Sequence, residues 1–261
     1  MAQQHKTRTL LYDIETSYIV AGVWDIWNTN AATVIQDWQI LCFGYKWLGE
    51  KKIHIVSQDD FKGYKPGKLD DKNVVIALWN LFNEADIVVA HNGNSFDQKK
   101  VQARMMVHKM PPPEPYAQVD TKVAMKQVAA HTSNKLADLN RALGLESKLD
   151  AGGIDTWTGC MNGDPKAWKH MKKYNKGDIV ALEELYLEVR PWMKNHPAVN
   201  VLESRPDACP RCGKEGTMIK GMKYKATNTN LYQYYRCKEC GGMAKSRIPE
   251  PKQALEKMRY V

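Results

Sequence analysis

Acidic residues at two points near the start of the chain have the spacing of metal ligands. Asp13 and Glu15 end the apolar run that begins at Thr9, which predicts a strand buried on both faces. Residues i and i+2 of a strand point the same way, so both carboxylates are expected on one face. Such close charges repel each other unless a cation lies between them. A strand that simply runs into an acidic turn is the alternative.

A third carboxylate, Asp97, follows a second apolar run. The sequence from Asp86 to Asp97 predicts a short buried strand, a polar turn and a helix that Ser95 caps and that runs to about Lys109. Asp97 would lie in the first helical turn, where the positive end of the dipole favours an acidic side chain. That placement alone fits a helix-stabilising residue as well as a functional one.

The fourth carboxylate, Asp178, lies in a segment with helical spacing of apolar residues. Tyr174 and Asp178 are four residues apart, so they share one face of the helix predicted from Tyr174 to Met193. Asp178 borders the apolar stripe, where an unpaired charge is costly and a metal ion would neutralise it. A solvated Asp near a helix start is the alternative.

In their order along the chain, the three motifs resemble those of the DEDD exonucleases, which have the RNase H-like fold. The motifs are Asp-x-Glu at 13–15, Asn-x-x-x-Phe-Asp at 92–97 and Tyr-x-x-x-Asp at 174–178. The tyrosine marks one branch of that superfamily. The resemblance covers roughly residues 7–195 and looks closest to the exonuclease domain of family B DNA polymerases and to stand-alone or phage-encoded relatives.

The resemblance implies a chemistry and a role for each motif residue. Two Mg²⁺ or Mn²⁺ ions would bridge the scissile phosphate and four carboxylates, those of Asp13, Glu15, Asp97 and Asp178; hard cations suit such oxygen ligands. By the same resemblance Tyr174 would orient the attacking water, and Asn92 would contact the substrate or steady the second motif. Asp120 resembles a secondary acidic position, or it is a helix N-cap.

Four of the six cysteines form two Cys-x-x-Cys pairs: Cys209 with Cys212, and Cys237 with Cys240. In a protein expected to stay inside the cell, such pairs indicate metal binding before disulfides. Four thiolates make a closed, tetrahedral site for one structural zinc ion. Strands predicted over 217–226 and 231–236 lie between the pairs, so the segment resembles a zinc ribbon.

The ribbon segment is basic and aromatic. From Arg205 onward there are 13 Lys and Arg against 5 Asp and Glu, and the whole chain has a net charge of +9. Cations can meet phosphates while aromatic rings stack on bases, so we expect substrate contacts here. The candidate residues are Lys220, Lys223, Tyr234 and Arg236. The alternatives are a minimal tyrosine core with solvated charges, or a docking surface for a DNA polymerase or another replication protein.

The remaining pattern predicts an α/β fold: an RNase H-like mixed sheet flanked by helices, plus a small C-terminal zinc-ribbon domain. Expected domains are an exonuclease domain at 1–203, the ribbon at 204–248 and a basic tail at 249–261. The insertion over 17–37, with Trp24, Trp27 and the adjoining Trp38, would stack on unpaired bases or, as the favoured alternative, pack a lid onto the core. Apolar runs of membrane-spanning length and a signal core are lacking, so we expect a cytoplasmic protein, in the host cell if it is phage-encoded, without a membrane partner.

The sequence therefore predicts a 3′–5′ exonuclease that acts on DNA in replication or repair, with single-stranded DNA as one candidate substrate. Two alternatives stay open. One is a nucleic-acid-binding or polymerase-accessory module whose nuclease activity is secondary. The other is a 3′–5′ exoribonuclease, since the same carboxylates serve both sugars.

Overall fold

The structure is a computed structural model that describes residues 5–27, 29–145 and 152–250. The chain divides into two compact units. One runs from Arg8 to Tyr186, and the other joins the residues up to Thr7 with the chain from Leu187 onward. The basic tail expected over 249–261 lies outside the described residues beyond Glu250.

The larger unit is built on a five-stranded sheet with the order β5-β4-β1-β6-β7. Its strands are β1 (Thr9–Thr16), β4 (Ile40–Trp47), β5 (His54–Ser57), β6 (Ile87–Ala90) and β7 (Ala117–Asp120). Strand β1 pairs antiparallel with β4 and parallel with β6. The expectation of a mixed sheet is therefore confirmed.

Helices flank this sheet. They are α1 (Lys72–Glu84), α2 (Asp97–Val107), α3 (Thr121–Val128), α4 (Leu136–Ala142), α5 (Ile154–Asn162) and α6 (Pro165–Val189). The side chains of α1 and α2 share a core with alternate residues of β1, which are Leu10, Tyr12 and Ile14. Helices α5 and α6 share a second core with β4. None of the described helices is long and apolar enough to cross a membrane.

Several element boundaries differ from the sequence prediction. Helix α2 begins at Asp97 with Phe96 as its N-cap residue and without a side-chain cap, so the prediction that Ser95 caps it is wrong. Pro165 begins a single helix that passes through Tyr174 and ends at Val189, because a proline at the first helical turn costs no hydrogen bond. Strand β7 and helix α5 were not predicted.

The insertion after β1 forms a two-stranded hairpin, β2 (Val20–Gly22) and β3 (Thr33–Gln36). Trp24 and Trp27 in its connection are each 89% exposed, so the expectation that they pack a lid onto the core is wrong. Trp38 does pack against the core that β1 shares with α1 and α2. The apolar composition of the insertion could not distinguish a packed lid from a projecting hairpin.

The smaller unit contains the short helix α7 (Val199–Leu202) and a three-stranded sheet with the order β10-β9-β8. Its strands are β8 (Met218–Ala226), β9 (Leu231–Cys237) and β10 (Met243–Lys245). Strands β8 and β9 lie where the sequence predicted the two ribbon strands. Beyond Ala208, the buried hydrophobic side chains among the described residues are only Cys209 and Cys237.

Candidate active site and cysteine cluster

Three of the four predicted carboxylates come together near the C-terminal end of β1, the central strand of the large sheet. Asp13 and Glu15 extend from β1, and Asp178 extends from the middle of α6. One ligand oxygen from each lies within 4.8 Å of the others. We call these three residues the carboxylate cluster. Asp178 is 1% exposed, which excludes a solvated surface role for it.

The fourth carboxylate, Asp97, lies beside the carboxylate cluster in the first turn of α2. Its Oδ1 accepts a hydrogen bond of 3.2 Å from the backbone N–H of Ile14, the residue between Asp13 and Glu15. Asp97 is 2% exposed. This hydrogen bond joins the start of α2 to the C-terminal part of β1. It therefore holds Asp97 close to Asp13 and Glu15.

Two residues that the sequence analysis did not single out shape this site. The Asn175 side chain is fully buried, and its Nδ2 donates to Asp13 Oδ2 at 2.8 Å. Gly44 on β4 lies directly across from Asp13, and a Cβ there would be 2.8 Å from Asn175 Oδ1 and from Ile179 Cγ1. Glycine is therefore required at this position for α6 to lie this close to the sheet.

The charges of the site act on its buried neighbours. Burial raises the pKa of the Cys42 thiol well above its usual range, and the negative charge of Glu15 raises it further. Burial likewise raises the pKa of the Tyr12 hydroxyl, with a further rise from the charges of Asp97 and Asp13. A concentrated negative potential of this kind attracts cations.

Tyr174 precedes Asp178 by one turn of α6 and is 7% exposed. Its ring packs edge-to-face on Trp157, with ring centroids 6.2 Å apart. Tyr174 also belongs to the core that α5 and α6 share with β4, so packing restricts the orientation of the ring.

The turn between β6 and α2 is fixed by Asp120. Its Oδ1 accepts from the backbone N–H of Asn92 at 3.0 Å, and its Oδ2 accepts from that of Asn94 at 3.1 Å. The same carboxylate caps α3 by accepting from the backbone N–H groups of Lys122 and Val123. Of the two roles considered for Asp120, the helix N-cap is confirmed. Asn92 itself has a left-handed backbone with φ of 69°.

The four paired cysteines also converge. Single ligand atoms of Cys209, Cys212, Cys237 and Cys240 lie within 4.8 Å of one another. Across the two pairs, the sulfurs of Cys209 and Cys240 are 3.7 Å apart and those of Cys212 and Cys237 are 3.8 Å apart. This group, the cysteine cluster, fits the four-thiolate site of a zinc ribbon.

The strand register places the residues predicted to contact substrate on different faces of the ribbon sheet. Arg236 and Tyr234 share one face of β9, where Lys245 lies opposite Tyr234. Lys220 lies opposite Tyr235 and so belongs to the other face. Lys223 falls in the irregular segment between Lys220 and Tyr224, where the register shifts.

Further basic and aromatic residues extend the face that holds Tyr234 and Arg236. Tyr232 lies two residues before Tyr234 on β9, and the residue opposite Tyr232 on β8 is Lys225. The Lys245 ammonium lies 4.1 Å from the centre of the Tyr232 ring. This face combines cations and aromatic rings, whereas Lys220 lies on the other face and Lys223 lies in the irregular segment of β8.

Comparison with known proteins places the larger part of the chain in one superfamily. The family model described as the RNase H superfamily matches residues 34–190. No curated protein matches the chain. Among solved structures, the family B DNA polymerase from the hyperthermophilic archaeon Pyrobaculum calidifontis matches with a TM-score of 0.52 and 16% sequence identity. The match covers 72% of this chain and 25% of the polymerase, so it shows a shared fold over a quarter of that protein's length.

Proposed function

The chain belongs to the RNase H superfamily, and on that premise we propose that it is a metal-dependent 3′–5′ exonuclease that hydrolyses DNA. Membership of the superfamily supports a nuclease. One observation carries the finer proposal: Asp13, Glu15 and Asp178 offer oxygens within 4.8 Å of one another, with Asp97 held beside them. The similarity of fold to a DNA polymerase favours DNA as the substrate.

The residues of the carboxylate cluster fit divalent cations. They offer only oxygen ligands, which Mg²⁺ and Mn²⁺ prefer, and carboxylates this close repel each other without a cation. Asp13, Glu15, Asp97 and Asp178 would hold two ions. When bound, such ions supply an activated water and stabilise the charge that develops on the leaving oxygen.

The neighbouring residues would prepare the site for this chemistry. Asn175 Nδ2 donates to Asp13 Oδ2 and so orients that carboxylate. Such partners orient the groups that bind a metal ion. Tyr174 would orient the attacking water through its hydroxyl. Asn92, in the turn that Asp120 fixes, would face the substrate or support Asp97.

For the smaller unit we propose one structural zinc ion in the cysteine cluster and contact with nucleic acid through the ribbon. Tyr234 and Arg236 would make this contact together with Lys225, Tyr232 and Lys245, because cations and aromatic rings share that face. Lys220 and Lys223 would add charge from elsewhere on the ribbon. Docking of a DNA polymerase or another replication protein is the alternative use of this surface.

An end-label assay on matched DNA and RNA strands, single- and double-stranded, tests the function. We expect 5′-labelled DNA to shorten in steps of one nucleotide when Mg²⁺ or Mn²⁺ is present, with little change in excess chelator. Immediate release of the 5′ label as a mononucleotide would indicate cleavage from the 5′ end and would contradict the 3′–5′ direction. Faster shortening of RNA than of DNA would identify an exoribonuclease instead.

A further inference from the structure

A basic loop connects β5 to α1 in the larger unit. The loop, residues 61–69, carries Lys62, Lys65 and Lys68 and no acidic residue. All three lysines are exposed. With Phe61, Tyr64, Asn73 and flanking residues they line a cavity of about 250 Å³. The functional roles described above do not involve this loop.

The basic loop leaves the sheet at the same end of the strands as the carboxylate cluster. Strands β1 and β5 both pair antiparallel with β4, so their C-terminal ends lie at the same edge. In the register, Ser57 at the end of β5 is paired with Cys42, and Cys42 is paired with Glu15. Two strand spacings therefore separate Ser57 from Glu15, which corresponds to about 10 Å.

Hydrogen bonds attach the basic loop, and the two residues just before it, to α6, the helix that carries Tyr174 and Asp178. Lys172 Nζ donates to Asp59 Oδ2 at 2.9 Å and to Asp60 Oδ1 at 2.7 Å. Trp168 Nε1 donates to the hydroxyl of Tyr64 at 2.9 Å. These contacts hold this segment of the chain against the helix that carries Asp178.

Close packing adds to this attachment. A Cβ at Gly163, in the turn before α6, would lie 2.5 Å from the Cβ of Pro66 in the basic loop. Gly163 has φ of 81°, a conformation that favours glycine, so the chain makes room there for the loop.

The acidic residues near the basic loop are mostly engaged elsewhere. Asp59 and Asp60 pair with Lys172. Asp71 is fully buried and pairs with Arg104 and His108. Asp70 lines the cavity and accepts from the backbone N–H of Lys72. Across residues 5–27, 29–145 and 152–250, no ion pair within 4.0 Å involves the three lysines of the loop.

We propose that the basic loop binds the phosphodiester backbone of the nucleic acid strand whose 3′ end lies at the carboxylate cluster. This inference rests on the proposed function. A strand with its 3′-terminal nucleotide at the carboxylates continues only toward its 5′ side. The loop offers three cations in the segment that follows Ser57, which itself lies two strand spacings from Glu15. Lysine contacts to phosphates are independent of base sequence and release counterions, so they add to the salt dependence of binding.

The test measures binding of a fluorescent single-stranded DNA oligonucleotide to the full chain at several salt concentrations. An Asp178→Asn background keeps the DNA intact. Lys65→Gln/Lys68→Gln is compared with Lys51→Gln/Lys52→Gln, which removes the same charge from exposed lysines in the turn between β4 and β5 at the opposite edge of the sheet. Each phosphate contact on a single strand contributes about 0.7 to the slope of log affinity against log salt.

We expect the loop variant to lower this slope by about 1.4 relative to the control variant, for any base sequence. Equal slopes in the two variants would overturn the proposal. In a second arm, neutral methylphosphonates replace the phosphodiesters near the 3′ end of the oligonucleotide. The two variants should then bind alike, and a difference that persists on the neutral backbone would also overturn it. All of the substituted lysines are exposed, so thermal unfolding should match the background protein.

The outcome is separable from that of the proposed function. Cleavage by the wild-type chain with equal salt slopes in the two variants would reject the loop and keep the exonuclease. Different slopes without any cleavage would keep the loop as a nucleic acid contact and reject the exonuclease.

Discussion

The carboxylate cluster and the cysteine cluster both gather metal-binding groups, but different parts of the fold hold them in place. The carboxylates extend from a central strand and a 25-residue helix, and each of these elements belongs to a buried core. The cysteines lie in a segment whose buried hydrophobic side chains, among the described residues after Ala208, are two of the cysteines themselves. In the larger unit the fold brings the carboxylates together, whereas we expect the ribbon to need a metal ion in order to fold.

The largest expected effect is the loss of chemistry without loss of folding. Asp178→Asn keeps the side-chain shape and removes one charge of the carboxylate cluster. Stabilisation by a catalytic metal ion amounts to several kcal/mol, so kcat/KM for DNA should fall by about 10³-fold or more. The melting temperature of the larger unit should not fall. An equal loss of activity in Cys209→Ser/Cys212→Ser would remove the distinction between the two clusters.

Tyr174→Phe sharpens the same comparison within α6. The variant keeps the ring that packs on Trp157 and removes only the hydroxyl. Groups that position or transfer a proton contribute about 10²–10⁴-fold. The Tyr174 hydroxyl would only orient water, so kcat should fall by about 10²-fold, which is less than the effect at Asp178. The kinetics of the two variants, measured side by side at saturating Mn²⁺, check this order. A complete loss at Tyr174 would assign the hydroxyl a larger role.

Asn175→Ala should change the metal requirement more than the maximal rate. Removing a partner that orients a metal-binding carboxylate costs about 10–100-fold in metal affinity. The Mn²⁺ concentration for half-maximal cleavage should rise by that factor, and kcat should recover at saturating metal. Asn140→Ala is the matched control, because Asn140 is also buried and its Nδ2 donates to the carbonyl of Ala181. A similar rise in that control would reduce Asn175 to a packing residue.

The smallest effect on chemistry is expected from the ribbon. Cys209→Ser/Cys212→Ser should unfold the ribbon, because its described residues after Ala208 bury no hydrophobic side chain besides Cys209 and Cys237. Short oligonucleotides should be cleaved at the wild-type rate, while long DNA should bind more weakly and with a shallower salt dependence. Circular dichroism of the variant and salt titrations of binding check both parts. Unchanged affinity and salt slope would favour protein docking as the role of the ribbon.

Much of this arrangement follows from sequence periodicity. Alternation along β1 places Asp13 and Glu15 together, and helical spacing places Tyr174 and Asp178 on one face. The ribbon strands follow from the segment between the Cys-x-x-Cys pairs. These predictions depend on contacts that are local in sequence, and local geometry is what periodicity encodes.

Features that depend on contacts distant in sequence were not predicted. Asn175 matters because α6 lies against Gly44, and a glycine within an apolar strand was the available signal for that close approach. The outward position of Trp24 and Trp27 likewise depends on where the hairpin lies, not on its apolar composition. Helix α2 begins at Asp97 because the turn before it is held by Asp120, a residue 23 positions further along the chain.

The most direct test of the account is a count of Mn²⁺ ions bound to the zinc-loaded full chain by electron paramagnetic resonance. The wild-type chain should bind two Mn²⁺ ions, and Cys209→Ser/Cys212→Ser should bind two as well, because the carboxylates do not depend on the ribbon. Asp178→Asn should lose at least one ion or bind it at least about tenfold more weakly. Equal number and affinity of Mn²⁺ ions in wild type and Asp178→Asn would contradict the assignment of this carboxylate cluster as the catalytic metal site.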